Sequence, residues 1–60
     1  MKVINKLNLI NAQYEKLNDW SLRITLNNGR YTMANLELDT FLDGVFSSLL
    51  ECYHFIIGLN

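Results

Sequence analysis

An Asn28-Gly29 pair stands between two stretches of strand-like residues, and no other feature of this 60-residue chain narrows its possible folds as much. Trp20-Ser21-Leu22-Arg23-Ile24-Thr25-Leu26 alternates apolar and polar side chains, the period of a half-buried strand. Tyr31-Thr32-Met33-Ala34-Asn35-Leu36 can return beside it. Asn-Gly at the centre of a two-residue loop suits a type I′ turn, which needs φ > 0 twice. Such a loop predicts that Leu26 faces Tyr31, Ile24 faces Met33 and Leu22 faces Asn35. Trp20, Leu22, Ile24, Leu26, Tyr31 and Met33 then share a core face. Ser21, Arg23, Thr25, Arg30 and Thr32 share a wet one.

A lone hairpin is not stable in water, so the remaining residues must cover its apolar face. The apolar positions after Thr40 predict a helix from about Phe41 to Ile57. Asp39 or Thr40 is its expected N-cap, Thr40 with Asp43 its capping box, and Gly58 its C-terminal cap. Gly44 would cost about 1 kcal/mol inside it. Residues 1–19 admit two readings. Val3, Leu7, Ile10, Tyr14 and Leu17 fall at helical spacing, but Asn5, Asn8, Asn11 and Asn18 are poor helix formers. A strand from about Lys2 to Tyr14, with a turn at Leu17-Asn18-Asp19, is the other reading, and the one preferred. The expected fold is a single α+β domain over residues 1–60, a short antiparallel meander packed on one C-terminal helix.

Placed at 100° intervals, the apolar residues of that helix cover about 220°, where a surface helix needs little more than 100°. Leu42, Val45, Leu49, Tyr53 and Ile56 lie at the centre of the arc and suit the sheet. Phe46, Leu50 and Ile57 flank it on one side, and Phe41, Cys52 and Phe55 on the other. Sixty residues bury only about 60% of their unfolded surface, so a domain this small usually needs a staple. One cysteine allows no internal disulfide, and one Cys with one His cannot complete a tetrahedral zinc site. A second copy of the chain is therefore the expected staple, with Phe46, Leu50, Tyr53 and Ile57 as the dimer interface.

No residues assemble into a recognisable catalytic or cofactor site. Cys52 and His54, at i and i+2, point about 200° apart on a helix and cannot form a dyad. Asp39 and Asp43 are explained by helix capping, and the three glycines stand apart from one another. Enzymatic activity, cofactors and metals are not expected.

Formal charge is −1, with all five bases in residues 1–30 and four of the six acids in residues 31–60. Direct nucleic-acid binding wants clustered bases and a high pI, whereas the pI here is about 5.6. Glu37, Asp39 and Asp43 form an acidic patch that suits a basic protein partner. No apolar run reaches membrane-spanning length, and the N-terminus lacks a secretory leader, so the cytoplasm is the expected location. Eight asparagines and five isoleucines against two alanines match an AT-rich coding sequence, which points to a low-GC bacterium, its phages or mobile elements. The expected function is a non-catalytic protein-binding module, and in particular a small phage- or mobile-element-encoded inhibitor of a host defence or nucleic-acid-processing protein. A small assembly subunit and a small transcription regulator are the alternatives.

Overall fold

The computed structural model describes residues 1–59. Its elements are α1 (Lys2–Leu9), β1 (Gln13–Lys16), β2 (Ser21–Thr25), β3 (Tyr31–Asn35), β4 (Thr40–Phe41) and α2 (Leu49–Leu59). The strands form one antiparallel sheet in the order β1-β2-β3-β4. The α+β class and the antiparallel meander are as the sequence predicts, but the meander has four strands and is served by two helices.

The preferred reading, a strand from about Lys2, is overturned over residues 2–9, which follow the helical spacing instead. Only its end near Tyr14 and the turn after it are kept. Residues 2–9 are helical and bury Val3 and Leu7, and β1 follows from Gln13. The helix stops at a Schellman motif: Ala12 N donates to Leu7 O at 2.9 Å and Asn11 N to Asn8 O at 3.2 Å. Asn11 takes φ 57°, a left-handed conformation that asparagine tolerates better than most residues. The break at Asn11 separates the periodic residues Val3 and Leu7 from Tyr14 and Leu17.

The hairpin register differs from expectation by one residue. Thr25 pairs with Tyr31, Ile24 with Thr32, Arg23 with Met33 and Leu22 with Ala34. Leu26 N donates to Arg30 O at 2.8 Å and Gly29 N to Leu26 O at 3.1 Å, which makes a three-residue loop of Asn27, Asn28 and Gly29. Only Gly29, at φ 79°, is left-handed, so the turn is type I followed by a glycine bulge and not type I′. This register sends Tyr31 and Met33 to the side opposite Leu22 and Ile24.

The consequence is a sheet covered on both faces. Leu22, Ile24, Ala34 and Leu36 pack with Val3 and Leu7 of α1. Met33 packs with Cys52 and Ile56 of α2, bordered by Trp20, Tyr31, Phe46 and Phe55. Neighbouring residues Met33 and Ala34 are both fully buried, which requires a core on each face of β2 and β3, while β1 and β4 stay exposed. Arg23 lies on the α2 side, paired to Glu15 at 2.7 Å, with its guanidinium 5.1 Å from the Tyr31 ring centroid.

The C-terminal helix begins eight residues later than predicted. Thr40 and Phe41 are strand, paired with Asn35 and Ala34. Leu42 N still donates to Met33 O, but the next contact with β3 pairs Phe46 with Tyr31 in both directions, at 2.7 and 2.8 Å. Two more residues lie on this edge than on β3, so the edge is bulged, and Gly44 sits in the bulge at φ 145°. That backbone is closed to a helix, and Gly44 is therefore no helix-interior glycine. The helix starts at a variant of the capping box, in which the glutamate reaches back one residue beyond the N-cap. Ser48 Oγ accepts from Glu51 N at 3.3 Å, and the Glu51 carboxylate reaches back to Ser47 N at 2.9 Å and Ser47 Oγ at 2.8 Å. Gly58 lies inside the helix and is not its cap.

Candidate interaction surface

α2 buries one side and exposes another of the same character. Cys52 and Ile56, with Phe55 beside them, face the sheet. Leu49, Tyr53, Ile57 and Leu50 span about 100° on the outer side, at 100° per residue. Leu50, Tyr53 and Ile57 are 62%, 53% and 69% exposed. Their spacing of three and four residues makes one stripe along the helix. The 220° apolar arc survives on the shorter helix, and the sheet uses only about half of it.

Of the residues expected at a dimer interface, Leu50, Tyr53 and Ile57 come together on this stripe. Phe46 lies elsewhere. It belongs to the bulged edge, half-buried, and meets Phe55 edge-to-face with ring centroids 5.1 Å apart. Val45, beside it in the bulge, is exposed.

The three acids do not share one situation. Glu37, in the β3–β4 turn, and Asp43, in the bulge after β4, are exposed. Asp39 is engaged in the fold. Its Oδ2 accepts from Lys2 N at 2.8 Å and its Oδ1 from Val3 N at 3.1 Å, so both oxygens cap α1. These two hydrogen bonds hold the Asp39 carboxyl below the ordinary carboxylate range. The expected role of Asp39 as cap of the C-terminal helix thus passes to the other helix. Nothing local could reveal this, because the partners are 36 and 37 positions away. Ser48-Leu49-Leu50-Glu51 is different: an S-x-x-E signature before an apolar run marks a helix start in sequence alone.

Cys52 is buried against Met33, and that burial pushes its thiol pKa up, away from the reactive thiolate. His54 is exposed on the outer side of α2. Among the described residues no group of three or more His, Cys, Asp or Glu side chains stands close enough to share a metal ion, and no helix is long and apolar enough to cross a membrane. Comparison of the chain with protein-family models, curated proteins and solved structures gives no match.

Proposed function

We propose that this chain is a non-catalytic protein-binding module that pairs with a second copy of itself through the outer face of α2. The observation that carries the reading is the stripe of Leu50, Tyr53 and Ile57, left exposed although the adjoining side of α2 already fills the core. Aromatic and aliphatic side chains aligned on one rigid helix suit the centre of an interface, where such residues carry most of the binding energy. Burying them contributes several kcal/mol in total, at about 1.5–3 kcal/mol for each fully buried side chain. That is comparable to the stability of a domain this small.

In the narrower form of this reading the dimer binds a basic host protein and blocks it. Glu37 and Asp43 then serve as rim charges that act mainly on the rate of association. Asp39 has no such role, because its oxygens are committed to α1. The proposed phage or mobile-element source is supported by the asparagine- and isoleucine-rich composition.

Light scattering tests the pairing. The native protein should run at twice its 7.0 kDa chain mass. Tyr53→Glu should run at the single-chain mass with an unchanged circular dichroism spectrum, since Tyr53 lies outside both cores. A native protein that stays at single-chain mass at high micromolar concentration overturns the pairing.

A further inference from the structure

α1 is too short to roof its side of the sheet. Eight residues make a helix about 12 Å long, while four strands about 4.8 Å apart present a broader surface, and strands of five residues run about 17 Å. The part left open is a groove of about 820 Å³ at the turn end of the hairpin, beside the last turn of α1. Leu7 and Ile24, both nearly inaccessible, form its floor, and the exposed Ile10 and Phe41 stand at its margins. Among the described residues Lys6 is the only charged one that lines it. The Lys6 ammonium lies 5.8 Å from the Phe41 ring centroid, and among the described residues it makes no ion pair. None of the six acids of the chain lines the groove.

An apolar floor with one convergent charge is the usual make-up of a small-molecule site, and the volume lies within the usual range of several hundred Å³. We infer that the groove binds a small amphipathic monoanion, with an apolar chain or ring on Leu7 and Ile24 and a carboxylate at Lys6. The sign follows from Lys6. A cationic head would meet it as a like charge, and a neutral one would gain only an uncharged hydrogen bond from it, weaker than the charge-assisted bond of a carboxylate. The direction follows from Ile10. That residue, at the other end of the groove, offers only apolar surface, so the carboxylate lies at Lys6 beside Phe41 and the apolar end at Ile10. The tail then runs under the last turn of the helix.

Amide NMR titration with decanoate, decanol and decyltrimethylammonium, each below its micellar range, tests this site and its charge preference. Decanoate should shift the amides of Ile24, Leu26 and Thr32 saturably and bind more tightly than the other two. Lys6→Gln should weaken decanoate by about fivefold, the upper end for one exposed charge pair, and leave decanol unchanged. Ile10→Glu should weaken both. Lys6 and Ile10 are exposed, and unshifted core amides verify that each variant folds. The site is overturned if no probe moves the groove amides, or if decanoate moves those of Leu50, Tyr53 and Ile57 instead. The charge assignment is overturned if decanol binds as well as decanoate, or if Lys6→Gln leaves decanoate binding intact.

Discussion

α1 buries Val3 and Leu7 and turns Lys2, Lys6 and Asn8 to water, whereas α2 buries Cys52 and Ile56 and turns Leu50, Tyr53 and Ile57 to water. The first is an ordinary amphipathic helix of weak intrinsic propensity, with Asn5 and Asn8 in its interior. It has no side-chain cap of its own and borrows one from Asp39, on the far side of the sequence. The second carries its cap within itself, in Ser48 and Glu51, and is apolar well beyond what the sheet can cover. Dependence on the fold and surplus for the outside are thus divided between the two. α1 exists because the sheet is there, and α2 has apolar surface to spare once the sheet is served.

The sharpest way to break this contrast is to remove one buried side chain from each helix. Large-to-small core substitutions cost about 2–5 kcal/mol, close to the whole stability of a small domain. Leu7→Ala should fall at the upper end, because α1 has only Val3 and Leu7 fully buried and no strong propensity behind it. Ile56→Ala should cost less, since Cys52, Phe55 and the capping box still hold α2. Urea denaturation of the two variants measures the difference. If Ile56→Ala proves the more damaging, the dependent helix is α2 and the contrast is inverted.

Caps come next in size. Ser48→Ala should cost about 1 kcal/mol and loosen α2 alone. Asp39→Asn should loosen α1 alone, seen as faster amide exchange at Lys2 and Val3 with the α2 amides unchanged. Both helices also share an acid sensitivity. Hydrogen bonds from Ser47 hold the Glu51 carboxyl below its ordinary value, as those from Lys2 and Val3 hold that of Asp39. A carboxyl depressed in the fold contributes stability that is present above its unfolded pKa, about 4, and is lost as pH falls through the lower folded value. Protection of both helices should therefore decline below about pH 4. In Asp39→Asn the acid-dependent part of the loss at Lys2 and Val3 should vanish, and in Glu51→Gln the corresponding part at the start of α2.

The same contrast explains what could be read in the sequence. The meander, the glycine of the hairpin loop and the width of the apolar arc of α2 are local patterns visible in the order of residues. The orientation of that arc is not: Leu49 and Tyr53, expected on the sheet, are exposed, and Cys52 and Phe55, expected on a flank, pack at Met33. Ser48-Leu49-Leu50-Glu51 was equally visible and marks the helix start better than Thr40 and Asp43, because Gly44 stands between the two. The register was not decidable locally. Asn27-Asn28-Gly29 satisfies a two-residue and a three-residue loop alike, since both need left-handed glycine at the same position. The choice falls to packing. The observed register places Met33 and Ala34 in separate cores, and those cores need two helices. The second helix, α1, was half-hidden by its asparagines, and its cap lies in a turn that only the finished fold brings near.

The smallest expected effects lie at the two helix C-termini, and they have opposite signs. Asn11 ends α1 in the left-handed region, where a Cβ without a compensating polar group is strained, so Asn11→Ala should destabilise by about 1 kcal/mol. Asn11→Gly should be close to neutral, because glycine reaches that φ freely. Gly58 resembles a cap in sequence but sits within α2, outside the left-handed set, and a Cβ added there meets nothing within 4 Å. Alanine is the better helix former by up to about 1 kcal/mol. Fraying of the last turn reduces the gain to a few tenths of a kcal/mol. Gly58→Ala should therefore raise the melting temperature slightly, where the same change at a true glycine cap would lower it. A lowered value would mean that α2 ends at residue 57 on a left-handed glycine. Ile57 would then stand at the frayed end of the stripe, and the interface would centre on Leu50 and Tyr53.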